Sequence, residues 1–154
     1  MNQTIKGDDS SSPPEIFSAE WAQAWGDALD TSEAYREAAS SWEGALVLVM
    51  SADPNLGIPS ERAVFLDLEH GRCHEARLAN DEDRAEAPFV LAAEPAQWKR
   101  VLESDLDPLL ALMSGKIRLA RGSLAKLTPQ VKAARELVRT AANLEASVPE
   151  GWSS

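Results

Sequence analysis

Apolar residues follow two periods along the chain, and the switches between them outline the fold. Phe17, Trp21, Trp25, Ala28 and Leu29 recur at the spacing of one helix face. Ser18 stands where an N-cap belongs and Phe17 where a staple against Ala22 belongs, so a helix is predicted over 18–29. Asp30 or Thr31 is positioned to cap a second, shorter helix carrying Glu33, Tyr35, Ala38 and Ala39 and ending near Ser40. The run 44–50 is then continuously apolar and rich in β-formers, the mark of a central strand buried on both faces. Two prolines and a glycine make 53–59 a loop. From Arg62 to Leu68 the period becomes two, and His70-Gly71 turns the chain into a partner strand from Cys73 to Leu78.

The acidic stretch 80–86 reads as a solvated loop, and 89–93 as a fourth strand. Pro95 opens a helix with Trp98, Val101 and Leu102 on one face. Asp107-Pro108 and Gly115 bracket a short helix, 109–113, that is apolar on all sides and so needs protein or an apolar ligand around it. A fifth strand over 116–121 alternates Ile117 and Leu119 with Lys116 and Arg118. Thr128-Pro129 starts the last helix, with Val131, Ala134, Val138 and Ala141 in one stripe and Leu137 and Leu144 beside it. Four strands in succession between helices predict an α+β domain: one five-stranded, largely antiparallel sheet covered by helices. Residues 15–148 form that single domain, 1–14 a disordered leader without an apolar run, and 149–154 a flexible tail.

At 154 residues the chain is long enough to bury one sizeable core. One cysteine, Cys73, allows no internal disulfide, and together with the polar leader it points to the cytoplasm. The longest apolar run, 45–50, is far below the roughly 20 residues that cross a bilayer. A net charge of −10 argues against nucleic acid as a partner. The charge is divided unevenly: residues 1–114 hold 8 basic and 22 acidic side chains, residues 115–154 hold 7 and 3. The C-terminal cations Lys116, Arg118, Arg121, Lys126, Lys132, Arg135 and Arg139 are either a solvated face or a transient contact with an anionic membrane.

Catalytic chemistry finds little to work with. Cys73 and His74 are adjacent, so on a strand they point to opposite faces, and no Gly-x-Ser-x-Gly elbow is present. His70, Cys73 and His74 offer ligand atoms, yet on a turn and strand their spacing does not converge and no fourth ligand is suggested, so no metal is expected. The segment 114–117 lacks the first glycine and the hydroxyl of a phosphate loop, with Leu110 and Ile117 in those places. Asp81-Glu82-Asp83 begins like a calcium loop, but Glu86 and Ala92 stand where glycine and the final acid are required. Helix capping accounts for Asp107 without pairing it to Asp105. No cofactor is expected.

From Trp98 onward the order Trp98, Asp107-Pro108, Met113, Gly115-Lys116-Ile117, Leu119, Gly122 and Leu124 resembles the closing half of the sterol carrier protein type-two family, as a bacterial-like stand-alone member. The pattern Met-x-Gly-Lys-(Leu/Ile)-x-(Leu/Ile)-x-x-Gly carries the likeness. The resemblance implies a five-stranded sheet packed on helices around an apolar tunnel for fatty acids, acyl-CoA, sterols or phospholipids, held without chemistry. Trp98, Leu109, Leu112, Met113, Ile117 and Leu119 are the expected wall, with Phe65, Phe89 and Leu91 as further candidates. Two other readings stay open: an interaction or regulatory module for a partner enzyme with no bound lipid, and an enzyme acting on an acyl compound.

Overall fold

A computed structural model describes residues 13–103 and 105–147. The predicted leader and tail lie mostly outside that range. Pro14, assigned to the leader, belongs to the folded part, because its carbonyl accepts the Ser147 N–H at 2.9 Å.

The first helix, α1 (Ala19–Thr31), is capped as predicted: Ser18 Oγ accepts the Trp21 N–H at 3.2 Å. Phe17 stacks on the Trp21 ring, at 5.1 Å between centroids, rather than only reaching Ala22. The cap of α2 (Glu33–Ala38) is Ser32, not Asp30 or Thr31. Both of those have other bonds. Thr31 Oγ1 donates back to the carbonyls of Asp27 and Ala28, prolonging α1. Asp30 accepts from Arg72 Nε at 2.8 Å and from the Cys73 N–H at 3.2 Å. These bonds hold its carboxyl below the usual carboxylate range and fasten α1 to the sheet.

The strands are β1 (Leu46–Met50), β2 (Arg62–Glu69), β3 (Arg72–Leu78), β4 (Phe89–Ala93) and β5 (Arg118–Arg121). They form one sheet in the order β3-β2-β1-β4-β5, with β1 central and every residue of it buried. Only the β1–β4 pairing is parallel. Between β3 and β4 the stretch read as a loop forms a helix, α3 (Asp81–Glu86). Its cause is a reciprocal cap: Asn80 accepts the Asp83 N–H while Asp83 accepts the Asn80 N–H. Asp83 also pairs with Arg77, so its acidity serves a local scaffold rather than solvent.

After β4 come α4 (Pro95–Leu102) and α5 (Pro108–Met113). Beyond β5, α6 (Leu124–Leu127) and a 3-10 turn (Thr128–Gln130) lead into α7 (Val131–Ala142), which starts later than Thr128-Pro129 suggests. Thr128 caps nothing ahead of it; its hydroxyl donates back to the Leu124 carbonyl. The buried residues of α7 are Ala133, Leu137 and Ala141, the last two among those singled out from sequence, while Val131, Ala134 and Val138 of the predicted stripe are half-buried. Helix α7 meets α1, α2, α4 and α5, and α1 lies on β3 and β2. That approach depends on Gly26, where a Cβ would collide with the Ala76 methyl.

Alternation divides the sheet cleanly. Leu46, Leu48, Met50, Val64, Leu66, Leu68, Phe89 and Leu91 face the helical layer and join the main core. Val47, Val49, Val90 and Ala92 face the other way into a smaller cluster with Ala63 and Phe65, over which Ala79 and Ala87 close at the two ends of α3. The predicted α+β architecture is thus present, with an apolar cluster on each sheet face, the second the smaller.

Candidate functional site: an apolar cavity under the helical layer

Between the sheet and the helices lies a cavity of about 880 Å³, its open mouth included. Its floor is Leu46, Leu48, Leu68 and Leu91 from three strands. Phe17, Trp21, Trp25, Tyr35 and Trp42 line the side built by α1, α2 and their flanks, and Trp98, Val101, Pro108, Leu109 and Leu112 the side built by α4 and α5. Ala133, Ala134, Leu137 and Val138 of α7 complete it. Among the described residues, none that lines it carries a charge.

The wide aromatic side chains hold the layers apart, and their polar atoms are bonded so that the rings stay fixed. Trp25 Nε1 donates to the Leu137 carbonyl at 3.1 Å, joining α1 to α7. Trp98 Nε1 donates to the Val49 carbonyl at 2.9 Å, joining α4 to β1. Trp42 Nε1 reaches the Gly44 carbonyl at 2.9 Å while its ring packs 5.1 Å from Phe89. Each such bond contributes about 0.5–1.5 kcal/mol and fixes one ring orientation. Phe17, Trp21, Trp25 and Trp98 form a continuous chain of ring contacts at 5.0–5.6 Å.

Helix α5 is mounted on polar bonds. Asp107 Oδ2 accepts the N–H groups of Leu109 and Leu110, and Oδ1 accepts from Arg135 Nε of α7 at 2.7 Å. Burial raises the Asp107 carboxyl pKa, but the hydrogen bond and charge of Arg135 with the two N–H donors outweigh it and leave the group below its usual range. At the far end the Ile117 N–H donates to the Ala111 carbonyl at 3.0 Å. Gly122 then turns the chain at φ +115° against the Phe89 ring, where a Cβ would collide.

Of the residues singled out from sequence, Trp98, Leu109, Leu112, Ile117 and Leu91 are brought together around the cavity. Four are not. Met113 is 64% exposed and Leu110 58%, so the expectation that α5 is enclosed on all sides is corrected: its cap and its tie to α7 turn only one face inward. Leu119 packs half-buried on the core rather than on the cavity. Phe89 is core, pressed between Trp42 and Gly122. Phe65 lies on the opposite sheet face, beneath the Arg77 guanidinium at 4.3 Å. Sequence reasoning assigned Trp21, Trp25 and Tyr35 to packed helix faces; their crowding in one short stretch was the available signal that large rings there enclose space.

Cys73 and His74 part company as their strand spacing requires. The thiol turns toward Gly26, and burial pushes its pKa up to about 11, so it is protonated and a poor nucleophile. His74 is exposed and paired with Glu69 at 3.2 Å. Glu43, Glu69 and His70 bring ligand atoms within 4.8 Å of one another at the surface, formed by the β2–β3 turn and the chain before β1. His70 Nε2 already shares a 2.7 Å hydrogen bond with Glu43.

Fold and cavity together define an α+β domain built around an uncharged internal pocket. The model of the SCP-2 sterol transfer family matches residues 26–128, and the chain belongs to that family. A crystal structure of sterol carrier protein 2 is 48% identical to it, covering 85% of this chain and all of the other, with a TM-score of 0.78. The solution structure of a conserved hypothetical protein from Thermus thermophilus, described as possibly sterol carrier protein, is 47% identical over 88% of this chain and 94% of that one, also at 0.78. The apo form of sterol carrier protein 2 from Yarrowia lipolytica is 16% identical over 93% and 99%, at 0.56, a likeness of fold alone. No curated protein sequence matches the chain. Lipid binding and transport are the family's general role, and no helix among the described residues is long and apolar enough to cross a membrane.

Proposed function

We propose that the chain holds one lipid-like ligand, of the fatty-acid, acyl-CoA, sterol or phospholipid class, in this cavity, carries it in the cytoplasm and does no chemistry on it. The observation that carries the reading is the uncharged wall of leucines and indoles around the cavity, a lining suited to an apolar small molecule. The protonated, inward Cys73 and its separation from His74 support the non-catalytic part. Delivery follows from α5, whose Leu109 and Leu112 face the cavity while Leu110 and Met113 face outward, with exposed Lys116 and Arg118 close behind in sequence. Apolar tips beside cations suit transient contact with an anionic membrane.

Native mass spectrometry of freshly purified protein should find a co-purifying lipid, and the emptied protein should take up the neutral apolar dye N-phenyl-1-naphthylamine. A protein that carries no lipid, takes up no dye and co-purifies with a partner enzyme would replace this reading with the interaction module. Vesicles containing phosphatidylserine should capture the protein at low salt and release it as salt rises; capture insensitive to salt would remove the membrane step alone.

A further inference from the structure

The register of the sheet shows where along the strands the cavity runs. Leu68, Leu46, Leu48 and Leu91 form its floor. The Gly44 N–H, bonded to the Leu68 carbonyl at 3.1 Å, sets Leu68 beside the start of β1, and Leu91 is the partner of Leu48. Met50, the next inward residue of β1, has 0% exposure, so open space does not reach it. The cavity therefore runs from the Leu68 end of the strands toward Met50 and stops short of it.

Contacts of α1 and the segment before it place Phe17 at that stop. Asp30, near the end of α1, bonds Arg72, the partner of Glu69, and Gly26 lies against Ala76, the partner of Leu66. Following the helix back toward its start thus leads toward Arg62, the partner of Met50. There Arg62 Nη1 donates to the Ile16 carbonyl at 2.9 Å, with Phe17 next in the chain. Trp98, whose ring is 5.6 Å from that of Phe17, bonds the Val49 carbonyl at the same end. Both residues line the cavity.

Phe17 is held there against its own backbone preference. The Ser18 N–H donates to the Glu15 carbonyl at 3.0 Å, closing a turn whose third residue is Phe17 at φ +60°. That position favours glycine, and a bulky side chain keeps it only where its surroundings leave no choice. The Ile16 N–H donates to the Ser147 carbonyl at 2.9 Å, the Ile16 carbonyl accepts from Arg62, and Arg62 also pairs with Glu15. The ring itself is stacked on Trp21.

We infer that Phe17 is the fixed end wall of the cavity and sets the longest apolar chain the protein accepts. Its pinned backbone keeps the ring from swinging aside for a longer ligand. The inference rests on the cavity being a lipid site and adds to it a residue that selects ligand length.

The test is displacement of N-phenyl-1-naphthylamine from the full chain by straight-chain primary alcohols from octanol to hexadecanol, uncharged probes that differ only in length. In the wild type each added methylene should tighten binding about fourfold until the chain end meets Phe17, and then add nothing. Phe17→Leu, which keeps most of the packing, should move that break to a longer alcohol, and Phe17→Gly further still. An alcohol two methylenes past the wild-type break should gain roughly tenfold or more in the glycine variant. Phe17→Gly should also melt no lower than Phe17→Ala, because both lose the ring and only glycine relaxes at φ +60°. A glycine variant melting below the alanine one overturns the fixed mounting and the inference with it. A break at the same length in wild type and variants overturns the end wall and leaves the lipid cavity standing. So does wild-type affinity that climbs through the whole series, or an equal loss at every length in Phe17→Leu, which is damage to packing. A protein that binds neither the dye nor any alcohol defeats the cavity reading and this inference together.

Discussion

The two faces of the sheet are built from alternate residues of the same strands, yet they pack by opposite rules. On one, Val47, Val49, Val90 and Ala92 join a small cluster with Ala63, Phe65, Ala79 and Ala87. On the other, Leu46, Leu48 and Leu91 look across at indoles on α1 and α4 whose own hydrogen bonds fix the rings at a distance. Both faces are apolar, so hydrophobicity does not separate a core from a cavity. Side-chain length and rigid anchoring do, because long planar groups tied at their polar ends cannot collapse to fill the last volume.

The largest disturbance should come from Trp98→Ala, which removes a buried ring and its bond to the Val49 carbonyl, the link between helical layer and central strand. A loss of about 3–5 kcal/mol is expected, or about 10 °C or more in Tm. A loss under about 1 kcal/mol in denaturant titration would mean that the layers do not depend on that anchor.

The comparison itself is tested by adding volume on each side. Val49→Phe, on the close-packed face, should cost about 1–3 kcal/mol and leave dye uptake intact. Leu112→Trp, on the cavity wall, should cost less than about 1 kcal/mol and reduce dye affinity roughly tenfold or more, because the added ring enters empty space. Equal stability costs for the two variants would show the cavity to be as tightly packed as the other face.

Smaller is the effect of Asp107, which mounts the cavity wall through a cap and an ion pair rather than by burial. Its folded pKa lies below the ordinary carboxylate value, so its contribution is present above the unfolded pKa near 3.8 and is lost as pH falls through the folded one. Asp107→Ala should therefore cost about 0.5–2 kcal/mol at pH 7, with a difference from wild type that shrinks toward pH 2. A constant difference across that range would deny the carboxylate its role.

Smallest of all, Met113→Trp should change stability by no more than about 0.5 kcal/mol and dye affinity by less than about twofold, since the side chain points to solvent. A sharp fall in uptake would place Met113 against the ligand after all.

The order of the five strands and of the helices other than α3 and α6, the central position of β1, the β2–β3 hairpin and the cap at Ser18 were all legible in sequence, because each rests on local periodicity or on one residue's hydrogen-bonding habit. So was the family, through glycines such as Gly122 whose backbone the fold bends to a positive φ. Helix α3 escaped because its acidic residues look solvated until Asn80 and Asp83 cap one another. Ala133 of α7 escaped because a helix with apolar residues on neighbouring positions leaves its phase to whatever it packs against.

By itself, then, the sequence determined the five strands and the helices other than α3 and α6, that the sheet is mostly antiparallel, and that one third of the chain carries a recognisable family pattern. Only the tertiary structure decided which apolar residues surround space and which fill it. Met113 and Leu112 are neighbours on one short apolar helix, and local pattern treats them alike. The Arg135–Asp107 contact from α7 ties down that helix, and in the folded chain Leu112 faces the cavity and Met113 the solvent. That contact spans 28 residues of sequence, beyond the reach of any helical or strand period.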